Sequence, residues 1–326
     1  MILVTGATGF IGRALVRHLA EANYPVRTLI HPSPHTPRLP RGVPVDAAVV
    51  SLSDKPGLRS ALHGVNTVFH LAGAEHQGAR ANLLATDIQG TRNLAEAAAE
   101  SGVQRLVFIS HLGADRASAF PVMKAKGIAE EYIRRSGVPY TILRSSLVYG
   151  PEDHFTTGLA WIIRRAPFIL PIPGDGQTRL QPLWVEDLVT CLLYAGEAPE
   201  AVNQTYEVGG SEYFSLQQVI EIIMRVSRRH RKLIHLSLPT MRALTVYLEH
   251  SIKSFPASSF WLDYVAVNRI CDVNNLPRYF GLMPARFAYR LDYLAPHAKP
   301  NLLQQALRQV AVVARSVRSR RQKDEI

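Results

Sequence analysis

One run constrains this chain more than any other: Val4-Thr5-Gly6-Ala7-Thr8-Gly9-Phe10-Ile11-Gly12. An apolar strand at Ile2–Thr5 passes through three glycines, spaced Gly-x-x-Gly-x-x-Gly, into a segment with helical periodicity. In such a turn the first glycine permits the tight bend, the second lets backbone N–H groups approach a pyrophosphate, and the third allows close helix–strand packing. The helix N-terminus then favours the anion. Thr5, Gly6, Thr8, Gly9, Phe10, Ile11 and Gly12 are therefore expected to bind a dinucleotide.

The segments that follow agree with that turn. Val26–Ile30, Ala47–Ser51, Thr67–Leu71, Leu106–Ser110 and Tyr140–Leu143 read as further strands, separated by helix-like stretches. Continuous apolar strands in βαβα order predict an α/β protein with a Rossmann-type, doubly wound parallel sheet covered on both faces. Between Ile30 and Asp46 stand Pro32, Pro34, Pro37, Pro40 and Pro44, which exclude a helix and predict an extended loop. Past Gly150-Pro151 the regularity weakens up to Pro300, with one clear helix near Ser215–Arg229. The expected division is a cofactor lobe at 1–150, a smaller substrate lobe with interleaved elements at 151–300, and a basic tail at 301–326.

Composition excludes several classes. At 326 residues the chain is long enough for one large domain or two joined ones. With 47% hydrophobic and 19% charged residues it lies far from disordered sequences. No stretch approaches the roughly 20 apolar residues of a membrane span, and no basic region precedes a cleavable apolar segment. Secretion and membrane spanning are not expected. Cys191 and Cys271 are too few for a disulfide framework or a zinc cage and read as small buried hydrophobes. The net charge of +11 is densest, for its length, in residues 301–326.

Five runs in fixed order resemble the short-chain dehydrogenase/reductase superfamily, in its extended or atypical, epimerase/dehydratase-like branch. They are Thr5–Gly12, His70-Leu71-Ala72-Gly73, Gly90-Thr91-Arg92-Asn93-Leu94, Leu143-Arg144-Ser145-Ser146-Leu147-Val148-Tyr149-Gly150-Pro151 and Pro182-Leu183-Trp184-Val185-Glu186-Asp187-Leu188. The resemblance covers about residues 1–295. Within the superfamily, Ser110-His111-Leu112-Gly113-Ala114, Glu152-Asp153-His154-Phe155 and Leu282-Met283-Pro284 look like landmarks of the dehydrogenase-like accessory subunit of respiratory complex I. The resemblance adds Leu71, Ala72 and Gly73 to the expected cofactor contacts. In this family an acidic residue after the third strand commonly touches adenine, but Ser51-Leu52 stands there and Asp54 reads as a helix cap.

An NAD site usually carries an acid about 20 residues beyond the glycines to accept the ribose 2′-OH. Here none lies between Glu21 and Asp46, and the neighbourhood offers His31, His35, Arg38 and Arg41. NADP is the expected dinucleotide, with NAD the alternative. The resemblance also implies a Tyr-x-x-x-Lys pair in which lysine holds the nicotinamide ribose and lowers the tyrosine pKa for proton transfer. No such pair exists in this chain: Lys124 stands opposite Phe120 and Lys126 opposite Val122. Either lysine can be the family's, and Ser110 or His111, after the fifth strand, is left to polarise a substrate or supply a proton. Tyr149 reads as packing, Asp187 as a helix cap or a lobe-anchoring acceptor, and His154 as a cleft or solvated residue.

Leu303, Leu307, Val310, Ala314 and Val317 form one helical stripe, with Arg308, Arg315, Arg318, Arg320 and Arg321 off it. Residues 301–321 fit either an anionic membrane surface or a helix docked on its own protein. Nothing resembles a nucleic-acid recognition element. The sequence thus leaves two functions: a reductase or epimerase-like oxidoreductase acting on a carbonyl-bearing small molecule of unknown identity, or a non-catalytic nucleotide-binding accessory factor of a membrane respiratory or quinone-related system. A location in the cytoplasm, either free or attached peripherally at the inner face of a membrane, is expected in either case.

Overall fold

The structure is a computed structural model that describes residues 1–33, 39, 44–252 and 255–296. Its centre is a seven-stranded, all-parallel sheet of β1 (Ile2–Thr5), β2 (Val26–Ile30), β3 (Asp46–Val49), β4 (Thr67–His70), β5 (Arg105–His111), β6 (Tyr140–Ser145) and β7 (Gln204–Val208). The spatial order is β7-β6-β5-β4-β1-β2-β3. Strand order therefore reverses between β1 and β4, and that switch point opens a crevice at the carboxyl ends of the strands.

Ten helices are described: α1 (Phe10–Glu21), α2 (Lys55–Ala61), α3 (Thr91–Glu100), α4 (Pro121–Arg135), α5 (Thr156–Arg165), α6 (Val185–Glu197), α7 (Leu216–Val226), α8 (Leu238–Ser251), α9 (Ser259–Val265) and α10 (Asn275–Phe280). Alternation along each strand feeds two cores. Val4, Phe69, Val107, Ile109 and Leu143 meet α1 and α6 on one face, while Leu3, Val68, Leu106, Phe108 and Ile142 meet α2, α3 and α4 on the other. Both sides of these central strands are thus apolar, which explains their uninterrupted hydrophobic runs. Each such side chain contributes about 1.5–3 kcal/mol on leaving water.

A third core joins α5, α7 and α9 through Leu159, Ile163, Ile220, Ile223 and Val265, closed by Phe287, Leu291 and Leu294. Tyr149 is fully buried at its edge against Phe287, a packing role as expected. Ser215 caps α7 in a capping box with Gln218. The chain does not leave the main sheet at residue 150: α6 covers it and β7 pairs in parallel with β6, so residues 185–208 belong to the cofactor lobe. Asp54 caps α2 by accepting from Gly57 N at 3.0 Å. Asp187 accepts from Ala285 N at 2.8 Å and so anchors the later chain. Cys191 and Cys271 are both free and buried. Among the described residues no helix is long and apolar enough to cross a membrane. The tail stripe at 301–321, and most of the proline loop with His35, Arg38 and Arg41, lie outside the described residues.

Candidate functional site

The crevice widens into one continuous cleft of about 2430 Å³. Thr5, Gly6, Thr8, Gly9, Phe10, Ile11 and Gly12 line it, together with His31, Ser51, Leu52, Leu71, Ala72 and Gly73. The three glycines have separate reasons to be glycine. Gly6 has φ +69°, and a Cβ there would lie 2.6 Å from the Leu71 carbonyl carbon. At Gly12 a Cβ would lie 2.1 Å from Gly6 O. At Gly9 it would meet only Gly6 O, at 3.1 Å, and otherwise enter the open cleft. Gly9 is also the N-cap of α1, with no side-chain cap and no acid in the first turn, so the helix's free N–H groups are left for a ligand anion. Arg13, within reach of the same end, donates to Thr8 O at 3.0 Å and pairs with Glu152 at 2.7 Å.

A buried chain of side-chain bonds locks this turn to the next loop. Thr5 Oγ1 lies 2.7 Å from His70 Nδ1, His70 Nε2 lies 2.8 Å from Thr91 Oγ1, and Ala72 N donates to Thr5 Oγ1. Burial, helped by nearby Lys126, pushes His70 down to about 3, so the ring is neutral at pH 7. These residues fit a dinucleotide: the turn presents N–H groups and open space where a pyrophosphate needs both.

The lysine ambiguity resolves on geometry. Lys126 is 3% exposed, lines the cleft and stands 3.2 Å from Asp87 Oδ1. Asp87 also accepts from Ala74 N at 3.0 Å. It is carried by a π-helical turn at Leu84–Gly90, a departure from regular helix of the sort that re-aims functional side chains. A Cβ on Gly73 would lie 3.2 Å from Lys126 Nζ, so the lysine faces the loop after β4. Lys124 is exposed and outside the cleft. Lys126, not Lys124, is thus the lysine in the cleft, and both Phe120 and Val122 line it as well.

Ser110 does not reach a substrate. Strand alternation turns it toward α4, where it is fully buried and donates to Glu130 Oε1 at 2.7 Å. Glu130 is fully buried too, and its charge is answered by Arg144 through two bonds and by Arg134. The expectation that Ser110 polarises a substrate is thereby corrected: it belongs to a structural ion cluster. His111, one residue on, does line the cleft. Its Nε2 lies 2.7 Å from Glu75 Oε2. Burial opposes the Glu75 charge, but His111, their hydrogen bond, Lys126 and His76 outweigh it and hold the carboxyl down to about 2.

Two buried polar atoms at this place have no partner among the described residues: His111 Nδ1 and Tyr264 Oη. The two rings meet edge to face with centroids 5.9 Å apart, and both line the cleft. Burial raises the Tyr264 phenol above its ordinary value despite Arg269 beside it. Arg269 fixes this corner, donating to Leu112 O at 2.7 Å and to Tyr264 O at 3.1 Å. Sequence reasoning missed Glu75, Asp87, Tyr264 and Arg269, which belong to no motif and converge only in space. His154 lines the outer cleft, stacked with His76 at 6.1 Å.

Two family descriptions match the chain: NAD(P)H-binding over residues 6–159, and the NAD-dependent epimerase/dehydratase family over 119–209. Among relatives, a Synechocystis protein named "Putative dihydroflavonol 4-reductase" is 37% identical over 67% of this chain and 69% of its own length. The NADH dehydrogenase [ubiquinone] 1 alpha subcomplex subunit 9 of Arabidopsis thaliana is 27% identical over 78% of this chain, and a Caulobacter ceramide reductase 30% over 59%. The chain spans a little under two thirds of the length of these last two. A solved UDP-glucose 4-epimerase from Thermotoga maritima shares the fold, with TM-score 0.68, 23% identity, and coverage of 90% of this chain and 96% of that one. The chain belongs to the NAD(P)-binding, epimerase/dehydratase-type branch of the short-chain dehydrogenase/reductase superfamily.

Proposed function

We propose that this protein is an oxidoreductase that prefers NADP and reduces a carbonyl-bearing substrate, with His111 and Tyr264 standing in for the absent phenol. One observation carries the reading: His111 Nδ1 and Tyr264 Oη are buried without a partner among the described residues, their rings meeting edge to face in the cleft that Lys126 also lines. A buried polar atom without a partner costs about 1–3 kcal/mol, so two together favour a ligand oxygen that satisfies both.

The bound nicotinamide supplies the hydride. Lys126, oriented by Asp87, would hold the ribose hydroxyls, and the α1 N-terminus with Arg13 would balance the charge of the pyrophosphate. Glu75 holds the Nε2 side of His111, so protonated His111 presents its Nδ1–H toward the carbonyl oxygen. Nδ1–H of His111 would give its proton to the oxygen of the carbonyl that a bound nicotinamide would reduce, so that the product leaves as an alcohol. Tyr264, kept protonated by burial, donates a hydrogen bond to the same oxygen. The NADP preference is supported by the end of β2, where His31 lines the cleft and no carboxylate follows. Asp46, the next acid along the chain, is held 2.6 Å from Arg27 and begins β3, at the opposite end of the sheet from the crevice.

The test is NADPH oxidation against ketones from short-chain to long-chain. His111→Asn is expected to lower kcat by about 10²–10⁴-fold while the Kd for NADPH holds. Turnover untouched by both His111→Asn and Tyr264→Phe would overturn the reading. A second reading, a non-catalytic nucleotide-binding accessory factor, is favoured by Val122 one turn before Lys126, where a phenol would be needed. Tight nucleotide binding without turnover on any ketone would support it. A cytoplasmic location with peripheral membrane attachment through 301–321 is proposed from the tail's sequence pattern alone.

A further inference from the structure

Outside the cleft, the third core carries a surface that neither reading uses. α5 ends in Arg164 and Arg165, and the chain then turns through Pro167 into a strand at Ile169–Pro173. At that turn Phe168 is 81% exposed, and Ile169 next to it is 46% exposed. The strand pairs in parallel with Lys232–Leu236, placing Lys232 opposite Ile169, with Lys232 N donating to Phe168 O at 3.0 Å. The chain enters that second strand through Arg225, Arg228, Arg229, His230, Arg231 and Lys232, five fixed cations with no acid among them. None of the five, nor Arg164 or Arg165, forms an ion pair with a described residue. α8 packs on the Ile169–Pro173 strand and leaves Tyr247 68% exposed, with only Thr245 of its 14 residues buried.

We propose that this face docks the protein on an anionic lipid bilayer, with Phe168 and Ile169 entering the headgroup region and Arg228–Lys232 meeting the lipid phosphates. An apolar tip beside cations that form no ion pair among the described residues suits an interface that is anionic outside and apolar beneath. Nucleic acid would use the cations but has no use for a protruding Phe-Ile pair beside them. The surface lies outside the cleft, since neither Phe168, Ile169 nor the cations line it.

The test is co-sedimentation of the full-length protein, tail intact, with phosphatidylcholine vesicles with and without phosphatidylglycerol. Partition is expected to require phosphatidylglycerol and to fall by roughly fivefold for each cation neutralised, hence about 25-fold in R228Q/R229Q. Phe168→Ser is expected to weaken the binding that persists at high salt, where the charge contribution is screened. NADPH affinity should hold in all variants, which shows that they are folded. Partition unchanged in R228Q/R229Q and in Phe168→Ser would overturn the proposal and leave membrane binding to the tail. Binding of single-stranded DNA in preference to the vesicles, lost in R228Q/R229Q but indifferent to Phe168→Ser, would overturn it in favour of nucleic acid.

Discussion

Three glycines in one turn do three different things, and substitution separates them. At Gly6 and Gly12 an added Cβ strikes backbone within the protein, so alanine there damages the fold itself. At Gly9 the added atoms enter the cleft. Gly9→Val is expected to leave the melting temperature nearly unchanged while reducing NADPH affinity at least 100-fold by calorimetry, because the branched side chain occupies the pyrophosphate's place. His70 gives a second prediction. Its folded value, about 3, lies below the ordinary 6.5, so the unfolded chain binds the extra proton. Its contribution is complete above pH 6.5 and is lost as pH falls toward 3, at about 1.4 kcal/mol per unit. Denaturant midpoints at pH 7 and pH 5 should therefore differ more in the wild type than in His70→Gln; equal differences would mean the ring is not buried neutral.

Among the elements, α4 decides which lysine matters, and nothing in its sequence does. Lys124 and Lys126 are two residues apart on a helix and point to different sides; only packing shows that Lys126 is the buried one. Replacing it alone would strand the Asp87 charge, so the informative variant is K126M/D87N, which keeps an acceptor for Ala74 N. It should lose about tenfold in NADPH affinity, whereas Lys124→Met should stay within twofold, both by fluorescence titration. β1, β2, β4, β5 and β6 were legible because each feeds apolar residues into both cores, whereas β3, at the sheet edge and largely exposed, shows in the sequence only as a short Ala-Ala-Val run. β7 was not: Gln204–Val208 is an edge strand with polar residues exposed, so it carries no continuous apolar run, and a boundary drawn at residue 150 misplaces it. The glycine turn was legible because backbone geometry dictates glycine there. Tyr264 was not, since it comes from the seven-residue α9 in a region without periodicity. Ser110 was misread because its neighbour on α4, Glu130, is 20 residues away in sequence.

On the scale of the molecule, a few buried side chains tie the later chain to the sheet, Arg269 among them. It is 3% exposed and donates to the carbonyls of Leu112, Tyr264 and Asp263. Gly113, at φ +81°, lets it in, since a Cβ there would lie 2.7 Å from the guanidinium. Arg269→Met removes three charge-assisted bonds and is expected to cost about 3–5 kcal/mol, lowering Tm by about 10 °C in calorimetry. It should also reduce turnover more than NADPH affinity, because Tyr264 loses its anchor while the glycine turn is untouched.

A crystal structure of the NADPH complex tests the central claim most directly. The account predicts the pyrophosphate on the N–H groups around Gly9, the nicotinamide ribose on Lys126, and nicotinamide C4 facing the gap between His111 Nδ1 and Tyr264 Oη, with an ordered water or substrate oxygen bridging the two. A nicotinamide whose C4 faces away from that pair, or a ribose held by a residue other than Lys126, would contradict it.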